Sequence, residues 1–428
     1  MIIGQNCGKI MADCEPRIPY YDVIVVGSGP AGSTAAYFLA EAGRRVLVLE
    51  KVHLPRYKPC GGALSMRFLR ETFPFSFDPI LSHEVTSFSY AYRGQEITIP
   101  LEPGAVSLVM RSDLDAYLLS HARVEVIQGA TVRRVSETGG GVLVETQDGL
   151  QFAAAYLVGA DGANSVVARS LGLRARRTLM AAIEAEVSVS AEVSQRFTGR
   201  MLFIFGEIHA GYAWIFSKKD VLSVGIGGLR PKPGDLQNTL KKVMMRYGIP
   251  LGDTPLHGHP IPIYTRQERV ATARTLLVGD AAGMADPLSG EGIRFAIKSG
   301  RLAAQAILSG QPEGYIKTLN RAIGFNHLLT TRIALLFYFY QDLFLFLGAS
   351  NPFSTQAVVE MLADRTTMAG FMARGLVTLP LFGATELVAR LLRRLGYARL
   401  SDILRAYVYP EVVRGSYRTA PAPVETGA

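Results

Sequence analysis

An α/β fold is what this 428-residue sequence predicts, with a parallel-stranded domain first, a second domain on an antiparallel sheet, and a helical C-terminal region. Three observations predict it. The β-branched run Asp22-Val23-Ile24-Val25-Val26 meets a glycine-rich turn and then a small-residue helix. Further on, stretches such as Glu184-Ala185-Glu186-Val187-Ser188-Val189 alternate with a period near two. Beyond residue 315 the chain turns to Leu, Phe and Arg at helical spacing.

The first strand is continuously apolar, as a strand buried on both faces of a parallel sheet has to be. Pro30 to Ala42 reads as a helix, because proline suits a first turn, and Gly43 ends it. Val46-Leu47-Val48-Leu49 is the second strand, which closes a β-α-β unit. Segments 86–104 and 176–269 carry the alternation expected of the second domain's antiparallel sheet. Segments 20–85, 105–175 and 270–315 then form the first domain, which is discontinuous. Residues 316–410 read as helical, with Leu387, Val388, Leu391, Leu392 and Leu395 in helical register. The tail 411–428, with Pro421 and Pro423, is expected to be disordered.

Hydrophobic residues at 49% and charged residues at 19% exclude disorder for most of the length. The net charge of +9 is spread along the chain rather than gathered in an aromatic-interleaved stripe, so it argues against nucleic acid and for anionic small molecules or an acidic membrane surface. Cys7, Cys14 and Cys60 form no disulfide framework, which fits a reducing, cytoplasmic compartment. The N-terminus lacks a signal-peptide layout, and Met11 is an alternative start that would make residues 1–10 an extension. No segment holds about 18 uninterrupted apolar residues, the length of a spanning helix. The nearest, 333–349, is broken by Gln341 and Asp342. His257-Gly258-His259 reads as a loop without metal spacing, and no metal site is expected.

Gly27-Ser28-Gly29-Pro30-Ala31-Gly32 is a GxGxxG fingerprint in its proper place between strand and helix. Gly27 makes the turn, Gly29 lets backbone approach a pyrophosphate, and Gly32 lets helix and strand pack. The helix N-terminus directs N–H groups at the phosphates. Glu50, ending the second strand, can accept ribose hydroxyls, and Lys51 beside it joins the expected cofactor set. A late strand, Leu276-Leu277-Val278, runs into Gly279-Asp280 and then a turn through Gly290, Gly292 and Ile293 into a helix over 291–308. A carboxylate there can hold a ribityl chain, and the helix N-terminus can face a flavin pyrimidine. Together these motifs predict a Rossmann-like FAD-binding domain.

These segments resemble the flavoprotein superfamily that contains para-hydroxybenzoate hydroxylase. Arg111-Ser112-Asp113-Leu114-Asp115 with Leu118 resembles its R-x-x-L-D-x-x-L helix start, and Ala160-Asp161-Gly162-Ala163-Asn164-Ser165 its A-D-G-x-x-S segment. The resemblance implies Arg111 near the FAD phosphates and Asp161 near the cofactor or the nicotinamide path. Lys58-Pro59-Cys60-Gly61-Gly62-Ala63 is similar to the K-P-C-G-G stretch of geranylgeranyl reductases. Tyr212-Ala213-Trp214-Ile215-Phe216, ending at Val224-Gly225-Ile226-Gly227, resembles their Y-x-W-x-F-P…V-G-x-G motif, with Ser217 in place of the proline. The similarity covers about residues 20 to 310, and the helical tail carries no matched motif.

What the resemblance implies is an FAD-dependent reductase of carbon–carbon double bonds in a prenyl chain. Its substrate would be a geranylgeranyl-type lipid, pigment, diphosphate or quinone, and its electron donor NADPH or ferredoxin. Tyr212, Trp214 and Phe216 alternate on a strand and so share a face, a wall for the apolar chain. Cys60, Tyr212 and Trp214 are the candidate catalytic residues, and Gly61, Gly62 and Ala63 let backbone approach the flavin. Arg374, Arg390, Arg393, Arg394 and Arg399 beside apolar residues suggest peripheral association with the inner face of an anionic membrane. An aromatic hydroxylase or halogenase on the same fold is the main alternative, although a halogenase's W-x-W-x-I-P is missing. A quinone-linked flavin electron carrier is a third reading.

Overall fold

The structure is a computed structural model that describes residues 18–408 apart from 233, 251, 343 and 345–351. Cys7, Cys14, the alternative start at Met11 and the expected tail at 411–428 lie outside the described residues.

The first sheet has seven strands. Its parallel part runs Glu125–Gln128, Val46–Glu50, Tyr20–Val26 and Gln151–Gly159, with Thr275–Leu277 pairing beside the end of the last. Gly141–Thr146 and Val132–Thr138 extend it antiparallel. The central runs 23–26 and 46–49 are apolar and buried, because helices cover them. Helix Pro30–Glu41 packs between Arg111–Ala122 and Ile293–Leu308. The last contact is close: a Cβ at Gly300 would come within 2.3 Å of the Ala31 carbonyl oxygen. That helix begins at Ile293 rather than at 291, since Gly290 takes a positive φ of 67° and Glu291 bonds back to Asp286.

The second sheet, also of seven strands, runs His257–Ile263, Thr178–Ser188, Val221–Leu229, Gly211–Lys218, Arg200–Phe205, Ser87–Tyr92 and Gln95–Pro100. It is antiparallel except where Arg200–Phe205 meets Ser87–Tyr92 in parallel. No hairpin joins those two pieces, because the chain returns to the first domain between them. Helix Asp235–Arg246 covers one face with Leu236, Leu240, Val243 and Met244. The opposite face carries Met201, Trp214 and Phe216.

The His257-Gly258-His259 segment, expected as a loop, is the start of an edge strand. Its prolines, Pro260 and Pro262, are tolerated because a strand with one neighbour needs only every second N–H. A three-stranded sheet of Ala63–Ser65, Val106–Val109 and Leu81–Glu84 joins the two large ones. Period-two reasoning missed it, its strands being only three or four residues long.

Among the described residues, two C-terminal helices are long and apolar enough, by length and composition, to cross a membrane: Pro312–Phe339 and Met368–Arg394. Interrupting polar residues hide them from a search for unbroken apolar runs. The first buries Tyr315, Leu319 and Ile323 in the core of the nucleotide domain, so this core runs on past residue 315. The second is largely exposed and contains Pro380.

Candidate active site

A cavity lies between the first sheet's C-terminal edge and the aromatic face of the second sheet, and the sequence motifs converge on it. At one end, Gly27 has a φ of +97°, and a Cβ there would come 2.4 Å from the Ala160 carbonyl oxygen. A Cβ at Gly32 would sit 1.9 Å from the Gly27 oxygen. Gly29 differs: a Cβ there meets nothing within 4 Å and would project into open space beside Pro30 and Ala31, which line the cavity. Turn, packing and ligand space thus fall to three separate glycines.

Glu50 is buried and oriented by its neighbours. Its Oε2 accepts the Ser28 N–H at 2.8 Å and the Ser28 hydroxyl at 2.7 Å, and its Oε1 accepts the Val52 N–H at 3.2 Å. Gly27, Gly32, Glu50, Lys51, Asp161 and Gly279 do not line the cavity, and Lys51 is exposed to solvent. Asp161 is chiefly a helix cap: Oδ2 accepts the N–H groups of Val166 at 2.6 Å and Val167 at 3.1 Å. Burial pushes its carboxyl up, and its Oδ1 is buried with no hydrogen bond.

Midway along, Asp280 faces Lys58 at 3.6 Å and His259 at 3.9 Å. Burial alone would raise the Asp280 carboxyl, but the Lys58 ammonium and His259 imidazole reverse this and hold it well below the usual carboxylate range. Burial pulls Lys58 down, opposed by Asp280. His259 Nε2 is buried, lines the cavity and has no hydrogen-bond partner in the protein. Gly279 takes a φ of +55°, and a Cβ there would press within 2.9 Å of the Ala31 Cβ. Gly290, Gly292 and Ile293 complete this side.

Arg111 lies next to it, donating twice to Asp115 at 2.9 Å, while Arg56 reaches the same carboxylate at 3.1 Å. Burial would lower its guanidinium; the Asp115 carboxylate opposes this, and the net direction is up. Two cations on one carboxylate leave a net positive charge beside the cavity, suited to phosphate.

At the far end, the Cys60-Gly61-Gly62-Ala63 stretch faces Tyr212, Trp214 and Phe216, with Met201 and Phe203 behind them. The three aromatic side chains do share a face. The Tyr212 hydroxyl donates to the Ser289 carbonyl, and burial pushes the phenol's pKa up. A Cβ at Gly225 would come within 2.1 Å of the indole, so Trp214 lies flat on that glycine. Sequence reasoning missed four polar residues: His259, Glu184, Lys218 and Ser223. Glu184-Ala185-Glu186 was legible as alternation, but nothing local told that Glu184 faces a cavity rather than water.

Such a site suits a dinucleotide carrying a planar ring. Open space at Gly29, an orphaned imidazole nitrogen at His259, and surplus positive charge at Arg111 and Arg56 all await a ligand with phosphates and polar ring edges. The fold and site define an FAD-binding oxidoreductase.

A family model described as an FAD binding domain matches residues 20–222. Geranylgeranyl diphosphate reductase from the chloroplast of Oryza sativa is 33% identical over 340 residues, covering 73% of each chain. Menaquinone reductase of Mycobacterium tuberculosis is 30% identical over 318 residues, covering 67% of this chain and 76% of the relative. A geranylgeranyl bacteriochlorophyll reductase-like protein of Thermoplasma acidophilum shares the fold with a TM-score of 0.70 at 23% identity, over 92% of this chain and 98% of the other. The chain belongs to the geranylgeranyl reductase family of FAD-dependent oxidoreductases.

Proposed function

We propose that this protein saturates carbon–carbon double bonds in the prenyl chain of a lipid, pigment, diphosphate or quinone. The observation that carries the reading is the cavity itself, in which an aromatic wall faces a dinucleotide site across a glycine-lined gap. Relatives named for geranylgeranyl diphosphate and menaquinone support a prenyl substrate of either kind.

Gly29, Pro30 and Ala31 would hold the cofactor's phosphates, with Arg111 beside them. Asp280, Lys58 and His259 would meet its ribityl and ring edges, and Gly61 and Gly62 would let backbone approach its ring. Bound and reduced, FAD supplies the hydride. Tyr212, Trp214 and Phe216 take up the chain, and each buried CH₂ contributes about 0.8 kcal/mol. An isolated alkene is a poor hydride acceptor, so the wall's main service is to align the double bond and exclude water. The Tyr212 proton is committed to the Ser289 carbonyl, which makes Tyr212 a positioning group. Cys60 or a water reaching it is left to protonate the second carbon. NADPH or ferredoxin would supply the electrons.

Prenyl substrates partition into membranes, and the exposed helix Met368–Arg394 suits peripheral docking on an anionic surface. The test of function is anaerobic. Chemically reduced protein mixed with a panel of prenyl lipids should reoxidise on adding one of them, without oxygen. Reoxidation only by oxygen, with hydroxylation or halogenation of an arene, would replace this reading by a monooxygenase or halogenase. Reoxidation by quinone alone, its prenyl chain unchanged, would indicate an electron carrier.

A further inference from the structure

Strand Thr178–Ser188 turns Ala185 and Val187 into the core beneath helix Asp235–Arg246, and so turns Glu184 and Glu186 the other way. Glu184 is 1% exposed. A carboxylate at that depth stays charged only if it is paired and hydrogen-bonded. Both of its oxygens are engaged. Oε2 accepts the backbone N–H of Cys60. Oε1 accepts the Ser223 hydroxyl and lies 3.6 Å from the ammonium of Lys218, itself fully buried.

Lys218 closes the figure. Its ammonium donates to the Cys60 carbonyl at 2.5 Å and lies 3.3 Å from Glu186 Oε1. Both polar atoms of the Cys60 backbone therefore end on one buried ion pair. The same Glu184 carboxylate reaches the aromatic wall, because Ser223 Oγ accepts the Trp214 indole N–H at 3.2 Å. Sheet register makes this reach natural. Glu184, Gly225 and Trp214 stand opposite one another on three adjacent strands, and Glu186, Ser223 and Phe216 form the next row. Gly61 presses on the wall from the loop side: a Cβ there would come within 2.7 Å of the Phe216 ring.

We propose that Glu184 is a positioning residue whose carboxylate, charge-balanced by Lys218, locks the Cys60 loop and the Trp214 indole at one fixed spacing. That spacing is the width of the gap in which the alkene must lie. A hydrophobic pair of similar volume could fill the same space, but it would leave the Cys60 peptide and the Ser223 hydroxyl with nothing to hold. The consequence for catalysis rests on the prenyl-reductase reading; the coupling of loop to wall does not.

Two reporters test the coupling without any substrate. Trp214 is the sole tryptophan, so its emission reads the wall. In a Cys7→Ser, Cys14→Ser background, the rate of thiol alkylation reads the loop at Cys60. Ser223→Ala should shift the emission and leave alkylation unchanged. Glu184→Gln keeps the shape and removes the charge; it should shift the emission and speed alkylation about tenfold, the scale of one lost hydrogen bond. Flavin uptake should persist in both. Should Glu184→Gln fail to fold, the Glu184→Gln/Lys218→Met pair removes both fully buried charges at once, leaving only Glu186 with its side chain 16% exposed, and is expected to release both reporters together. Unchanged reporters in the Glu184 variants, movement of only one, or faster alkylation in Ser223→Ala would overturn the proposal. With prenyl substrate, Glu184→Gln should lower kcat about tenfold and leave KM nearly constant, as a misplaced reacting geometry does. If the unaltered protein reduces no prenyl chain while the reporters behave as stated, the functional reading fails and the coupling stands.

Discussion

Gly225 has no side chain because Trp214 lies where one would be. Gly225→Ala should therefore lift the indole from the sheet, shift its emission, and slow prenyl-dependent reoxidation by about a hundredfold, with flavin content retained. Normal turnover in that variant would remove Trp214 from the account. Asp280 supplies a second residue-scale expectation. Its folded-state carboxyl is held below the usual range, so its contribution to stability is present above the unfolded value and is lost as pH falls through the folded one. Asp280→Asn should lower Tm at neutral pH and show a shallower loss of Tm below about pH 4. An acid limb as steep as that of the unaltered protein would contradict it. At this scale the glycines were readable from the motif, since their spacing is local. Glu184, Lys218 and His259 were not, because distant segments of the chain must fold together before Glu184 meets Lys218 and His259 faces Asp280.

At the level of elements, the proposed docking rests on the helix Met368–Arg394. Leu387, Val388, Leu391 and Leu395 are in helical register, as the sequence indicated, yet Leu387 is 71% and Leu395 63% exposed. Periodicity defined the stripe without telling which side of the molecule it would face. Of the five arginines singled out there, Arg374 pairs with Glu360 and Arg393 with Asp402. Arg390, Arg394 and Arg399 make no ion pair among the described residues. Free cations beside a membrane are each worth about 1 kcal/mol. Reversing these three to Glu should abolish flotation with anionic liposomes at moderate salt, and Arg374→Glu should change it far less. Equal binding by the triple variant and the unaltered chain would rule out this face. The edge strand His257–Ile263 differs: His257-Gly258-His259 looked loop-like, and the position of this segment at the edge of the sheet is what accommodates Pro260 and Pro262 beside it.

Across the whole molecule, the chain crosses between its two large sheets and closes a cavity at their junction. The β-α-β start, the late Gly-Asp turn and the aromatic strand were legible because each carries its own periodicity or turn chemistry. The small sheet from Ala63–Ser65, Val106–Val109 and Leu81–Glu84 was not, since strands so short leave almost no pattern. Yet this sheet sets Gly62 against Val109, whose N–H donates to the Gly62 carbonyl at 3.0 Å, and thereby aims the Cys60 loop at the wall. The central claim is that the wall holds a prenyl chain for saturation, and product mass tests it most directly. Reduced protein incubated anaerobically with prenyl lipids should yield products heavier by whole pairs of hydrogens, with the gain confined to the prenyl fragment. Prenyl lipids recovered at unchanged mass, while the flavin is still reoxidised, would contradict it.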